Sequence, residues 1–188
     1  ITLFPSIKFI KINNLKMLIN KTIEQVFLIV FPPYGEDSFS QLDIRIGLVI
    51  SEHLDKLIVV GTDLKNLWSP QITIEKLPVI YFEGNQFDSR ITQWMKTELN
   101  DDFVLEYYKV TELECFKNIV KNQIEEIYYL SIDNPNDPFG LKFVFTEDYI
   151  LSFPNSDGNS IETQFFNCQN KILNYNSLGD IIYTKLLD

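Results

Sequence analysis

Two stretches decide how this chain is read: Phe9-Ile-Lys-Ile-Asn-Asn-Leu-Lys-Met-Leu-Ile-Asn-Lys-Thr-Ile-Glu-Gln-Val26 and Val110-Thr-Glu-Leu-Glu-Cys-Phe-Lys-Asn-Ile-Val-Lys-Asn-Gln-Ile-Glu-Glu-Ile127. At an offset of 101 residues, apolar positions coincide at Phe9/Val110, Ile12/Leu113, Leu15/Phe116, Leu18/Ile119, Ile19/Val120, Ile23/Ile124 and Val26/Ile127. Lys16/Lys117 and Glu24/Glu125 match as well. Self-similarity at a fixed spacing signals one structural unit used twice. An offset of 93 then pairs Gly47-Leu48 with Gly140-Leu141 and Asn66 with Asn159, and Val79-Ile80-Tyr81 answers Ile181-Ile182-Tyr183.

Each unit reads as a helix followed by strands. Thr111 and Glu114 have the spacing of a capping box, and Leu113, Phe116, Ile119 and Val120 follow at helical intervals. Residues 124–132 are rich in β-branched and aromatic side chains, as a strand requires. Asp133-Asn-Pro-Asn-Asp-Pro138 breaks that strand. Leu141, Phe143 and Phe145 then alternate with Lys142, Val144 and Thr146, the period of a half-buried strand. Glu147-Asp148 turns the chain into residues 149–153, and Asn155-Ser-Asp-Gly-Asn159 is a second turn. The first unit repeats the plan. Strands are expected at 26–31, at 42–51 with Ile44, Ile46, Leu48 and Ile50 on one face, and at 57–60. Asp88 or Ser89 caps a further helix carrying Ile91, Trp94, Met95 and Leu99, which Asn100-Asp101-Asp102 ends. The expected fold class is therefore α+β and β-rich, with two related helix-plus-antiparallel-sheet units. They occupy residues 1–88 and 101–188, with a linking helix at 89–100.

Composition supports this reading. Among 188 residues there is no alanine, the best helix former, against 24 Ile, 15 Phe and 9 Tyr. The net charge of −10 speaks against nucleic-acid binding, which needs a basic surface. Residues 1–100 carry 10 basic and 11 acidic side chains, whereas residues 101–188 carry 6 and 15, so the acidic excess lies in the second unit. The longest uninterrupted apolar run, 26–31, is too short to span a bilayer. Lys8, Lys11 and Lys16 interrupt the apolar N-terminal residues, so no secretory signal is expected there and the cytoplasm is the expected compartment.

Residues with catalytic chemistry are sparse. His53 is the only histidine, in a turn with no oriented nucleophile beside it, and reads as a turn residue. Cys115 and Cys168 lack metal-ligand spacing and read as small side chains. Asn155, Asp157, Asn159 and Glu162 gather oxygen atoms in one loop, but hairpin chemistry explains Asp-Gly there better than calcium does. Asp101-Asp102, Glu125-Glu126 and Glu147-Asp148 are paired acids without a shared cleft and read as solvated surface. No catalytic residue, metal or cofactor is expected.

The stretch Ile124-Glu-Glu-Ile127 followed by Pro138-Phe-Gly-Leu-Lys-Phe-Val-Phe145, a turn, and a strand ending near Asp157-Gly158 resembles bacterial immunity proteins of polymorphic-toxin systems. Many of these small acidic proteins share an Ile-Glu-x-Ile strand and a Gly-Leu-x-Phe-x-Phe strand. The first unit matches loosely, with Gly61-Thr-Asp-Leu64 where the Asp-Gly turn would stand. The resemblance implies a non-catalytic inhibitor that occludes one cognate protein toxin, a basic one given the acidic second unit, with no nucleic acid or membrane as partner. The expected contact residues are Asp133, Asp137, Glu147, Asp148 and Asp157. The competing expectation is a small-molecule binder or enzyme with a pocket between the units, lined by Trp68, Trp94 and tyrosines.

Overall fold

The computed structural model describes residues 8–9, 11–32, 42–63, 65, 69–98, 104–156 and 158–187. Along the chain these form β1 (Lys8–Phe9), β2 (Ile23–Val30), β3 (Ile44–Ile50), β4 (Lys56–Thr62), β5 (Pro70–Lys76), β6 (Phe82–Glu83), α1 (Phe87–Met95) and β7 (Glu106–Lys109). There follow β8 (Glu126–Ile132), β9 (Pro138–Val144), β10 (Tyr149–Pro154), β11 (Asn159–Thr163) and β12 (Ile181–Lys185). Two sheets result, of order β1-β5-β4-β3-β2-β7-β6 and β11-β10-β9-β8-β12. Every pairing is antiparallel except that of β6 with β7.

The sheets pack face to face, with β3 and β4 against β10 and β11. Period-two alternation puts Ile44, Ile46, Leu48, Ile58, Val60 and Ile72 on the inner face of one sheet. Leu141, Phe143, Ile150 and Ile161 oppose them from the other, and all are buried in one apolar cluster. The space between the sheets is thus filled by side chains. At one end, α1 adds Phe87 and Ile91 to the same core.

The five-strand orders β5-β4-β3-β2-β7 and β11-β10-β9-β8-β12 are alike: four strands in a meander, then a strand that returns to pair with the first. Where the sheets meet, their bonds are reciprocal. The Asn20 N–H donates to the Ile124 carbonyl at 2.7 Å, and the Lys121 N–H to the Ile23 carbonyl at 2.7 Å. Ile23 donates to Asn122 and Ile124 to Lys21, both at 3.0 Å. Asn20 and Lys121 are both left-handed, at φ 64° and 63°. All these correspondences keep the 101-residue spacing. The return strands match too. Val110 donates to the Val26 carbonyl at 2.9 Å, and Leu186 to the Ile127 carbonyl at 2.8 Å.

The structure departs from the expected helices. Residues 12–18 and 114–116 form 3₁₀ turns, so the chain is β-rich with one α-helix among the described residues. Asparagines and β-branched residues hold an α-helix poorly. Burial follows a spacing of three, Leu15/Leu18 and Phe116/Ile119, which is the 3₁₀ repeat. The capping box at Thr111 does not form: its hydroxyl accepts from the Val26 N–H at 3.1 Å and ties the turn to β2. The α1 N-cap is Gln86, with Asp88 and Ser89 inside the first turn. Leu99 and 100–102 lie outside the described residues, as does Asn66. Pairing register also moves two alignments. Gly47 faces Phe27, but Gly140 faces Leu130, and it is Lys142 that faces Tyr128. Residues 79–81 lie outside the strands, and β7 is the strand that matches β12, Tyr107 answering Tyr183.

Candidate functional site

Outward-facing side chains of the five-stranded sheet build a groove of about 340 Å³, lined by Glu126, Tyr128, Lys142, Val144 and Tyr183. Strand geometry supplies the convergence. Residues two apart on β8 share a face, and Tyr128 stands directly between Lys142 on β9 and Lys185 on β12. Tyr128 donates its hydroxyl to Glu126 Oε2 at 2.5 Å, and Lys185 Nζ donates to Glu126 Oε1. The Lys185 ammonium, and then the Tyr128 hydroxyl, hold the Glu126 carboxyl below its ordinary range. The same carboxylate pushes the Tyr128 phenol up. Lys142 Nζ lies 5.0 Å from the Tyr149 ring centre and 5.7 Å from that of Tyr183, within cation–π range. Burial raises both of those phenols. The groove offers aromatic faces, the Lys142 ammonium, and a carboxylate already paired with Lys185: recognition chemistry.

The corresponding face of the first sheet is different. Phe27, Ile29, Val49, Leu57 and Val59 are buried there as a separate apolar cluster. By register, Phe27 stands where Tyr128 does, and Gly47 where Lys142 does. A Cβ on Gly47 would come within 2.8 Å of the Leu57 side chain, so that position takes no larger residue without a shift. Tyr81 then packs edge-on against Phe27, ring centres 5.8 Å apart.

Two other polar clusters are internal. Glu106 on β7 accepts from Arg90 Nη2 at 2.7 Å and Trp94 Nε1 at 3.2 Å, and also from the Tyr108 hydroxyl. Asn159 on β11 joins the sheets: its Oδ1 accepts from Thr62 at 2.7 Å and Ser152 at 3.1 Å, and its Nδ2 donates to the Ile44 carbonyl at 2.8 Å. Both clusters bond within the fold and read as struts, although the Arg90 Nε is buried without a hydrogen-bond partner.

The acidic residues named from the sequence are not one patch. Asp133 and Asp137 are exposed in the β8–β9 loop, and Glu147 is exposed in the β9–β10 loop at the opposite end of the sheet. Seven-residue strands separate these ends by ~20 Å. Asp148 is buried, its Oδ1 accepting from the Tyr149 N–H at 2.7 Å and the Gln164 N–H at 2.9 Å. Asp157 lies outside the described residues, as do Trp68, Asp101 and Asp102. Trp94 belongs to the Glu106 cluster. His53 borders a separate cavity of about 70 Å³. Burial raises the Cys115 thiol, the opposite of an activated cysteine. Asn155 and Asn159 spend their side chains on protein partners, and Glu162 is buried and accepts from the Lys171 N–H. Among the described residues no three His, Cys, Asp or Glu gather as metal ligands, and no helix is long and apolar enough to cross a membrane.

The groove residues were missed from sequence because strand β12 was not paired with β8. The available signal was the alternation Glu126/Tyr128 opposite Lys142/Val144. No known protein family, curated protein or solved structure matches the chain.

Proposed function

We propose that this chain is a non-catalytic, cytoplasmic immunity protein that binds a cognate basic bacterial toxin and occludes its active site or substrate groove. The observation that carries this reading is the open groove of Tyr128, Lys142 and Tyr183, on a face whose counterpart in the first sheet is covered. Exposed aromatic and charged side chains gathered in a depression are the composition of an interface anchor. The likeness of residues 124–163 to immunity proteins and the net −9 of residues 101–188 support it, since an acidic surface steers a basic partner. A standard interface covers roughly 800 Å² per partner, about 30 Å across. One partner laid over the outer face would therefore reach both Asp133/Asp137 and Glu147, with the groove between them.

We also infer that the two sheets descend from one duplicated β-rich unit. The shared strand order and the reciprocal bonds at 101-residue spacing support this. The join then falls after Val110, because β7 pairs with β2.

The test is co-expression with the product of the adjacent upstream gene. Growth rescue with a stoichiometric complex is expected. A harmless neighbour that forms no complex refutes the reading.

A further inference from the structure

We propose that the groove on the outer face of the second sheet binds a small aromatic monocarboxylate, its carboxylate on Lys142 and its ring against Tyr128 and Tyr183. This goes beyond the immunity reading and stands without it, since it concerns the protein alone. Volume sets the size of the occupant. The groove holds about 340 Å³, within the range of roughly 300–1,000 Å³ usual for small-ligand sites. At about 30 Å³ per water that is room for ~11 water molecules, enough for one ring with a short acidic arm.

Charge sets the sign. The Glu126 carboxylate is already paired with Lys185 and accepts from the Tyr128 hydroxyl as well. Lys142 forms no ion pair among the described residues. Its neighbours are rings instead, with Nζ 5.0 Å from the Tyr149 centre and 5.7 Å from the Tyr183 centre. Ring faces stabilise an ammonium without replacing a carboxylate as acceptor of its N–H groups. The one uncompensated charge of the groove is therefore positive. It stands in the half of the chain that carries 6 basic and 15 acidic side chains. That acidic field penalises a phosphate dianion more than a carboxylate monoanion.

The walls set the body. Tyr128 faces Lys142 across the β8–β9 pair, and Val144 lies two residues further along the same face. Tyr183 is 44% exposed, so its ring has area left to cover. Aromatic side chains gain from offset or edge-on contact with another ring. An aliphatic acid would meet the ammonium and leave the rings wet. A neutral ring would cover the tyrosines and leave Lys142 without an anion. An aromatic acid uses both.

Titration of the protein with benzoate, followed by two-dimensional NMR of its amides, tests the proposal, with acetate, benzamide and phosphate as comparison probes. Benzoate should shift Tyr128, Lys142, Val144 and Tyr183 with a Kd of about 1 mM or tighter. Acetate and benzamide each carry half of the chemistry and should bind at least ~5-fold more weakly, and phosphate no better than acetate. Lys142→Met keeps an unbranched apolar body on β9 and removes the charge. It should lower benzoate affinity at least ~10-fold and leave benzamide unchanged. Silence at ~10 mM benzoate, equal affinity for benzoate and benzamide, or benzoate binding that survives Lys142→Met overturns the proposal. Benzoate that binds no tighter than acetate overturns it too, because the rings then contribute nothing. Groove signals that move with the upstream gene product but not with benzoate assign the groove to a protein partner, overturning this proposal and supporting the immunity reading. Benzoate binding as described, with no toxin complex formed, upholds it and refutes the immunity reading alone.

Discussion

Replacing Glu106 tests how the sandwich end is closed. Its side chain is 10% exposed and that of Arg90 29%, so the pair sits in the partly buried regime where truncating one partner strands the other. Three donors converge on this carboxylate: Arg90 from the middle of α1, Trp94 from its last turn, and Tyr108 from β7 itself. Arg90 also stacks on Phe82, its guanidinium carbon 3.6 Å from the ring centre, so the carboxylate fixes a residue that β6 leans on. Glu106→Ala leaves the guanidinium, the indole N–H and the phenol without their shared acceptor. Breaking a buried ion pair on one side costs about 3–5 kcal/mol. For a chain of this length that is a fall of roughly 6–20 °C in Tm. Glu106→Gln keeps the shape and one acceptor oxygen and should lose about half as much. Tyr108→Phe removes one bond to a charged acceptor, about 1.5–3 kcal/mol. Urea unfolding of the three variants would rank them Ala, then Gln and Phe together. A Glu106→Ala protein within 1 kcal/mol of the parent would refute the strut, because α1 would then be held by Phe87 and Ile91 alone.

Further outcomes follow from the same reasoning. Asn159→Ala strands the Ile44 carbonyl and two hydroxyls between the sheets and should cost about 2–4 kcal/mol in chemical unfolding. Gly179→Ala should cost about 1–3 kcal/mol, read as a lower Tm: its backbone is at φ +150° and a Cβ would clash with the Asp133 carboxylate. Burial raises the Asp148 and Glu162 carboxyls above their ordinary 3.8 and 4.5, so the native state binds more protons just above those values, and their contribution to stability falls as pH rises through the folded values. Melting curves should therefore show this contribution growing on mild acidification, and Asp148→Asn with Glu162→Gln should flatten the slope. Reversing the charge of Asp133 and Asp137, or of Glu147, should weaken binding of the proposed toxin mainly through the on-rate; if neither change did so, the acidic ends would lie outside the proposed interface.

Alternation in the sequence marks β3 and β9, whose inner faces are core. Ile44, Ile46, Leu48 and Ile50, and likewise Leu141, Phe143 and Phe145, alternate because the partner sheet dries that face. Strand β5 starts at Pro70 and interleaves Ile72 and Ile74 with polar residues, so only two apolar positions carry its period. Strand β7 has four residues, one of them the buried Glu106, so neither length nor polarity announced it. The helices were over-read because a spacing of three and four fits both helix types, and burial at three alone tells them apart. The groove was out of reach for a different reason. Glu126 and Tyr128 are on β8, Lys142 on β9 and Tyr183 on β12, and only register brings them together. Residues 181–183 look like 79–81 in sequence, but their register counterpart is 105–107.

The register match of β7 with β12 bears on where function resides. The five-strand pattern is shared, but the two outer faces have been spent differently. In the first sheet, Phe27, Val49, Leu57 and Val59 make a surface that must be covered, and Leu77, Tyr81 and Leu105 help cover it. In the second, the 3₁₀ turn at 171–177 covers only the end nearest Phe139 and Phe153, through Ile172 and Tyr175. The uncovered end carries a tyrosine in place of Phe27, a lysine in place of Gly47 and a second tyrosine in place of Leu57. Each of these keeps an aromatic or alkyl body while adding a polar tip, so the face tolerates water and still offers area to bury. Stability alone would not require such a surface, since the first sheet already satisfies the same backbone with aliphatic side chains and its own segment. A face that is soluble when empty and still rich in aromatic area is suited to a partner that arrives and stays, which is what occlusion of a toxin demands.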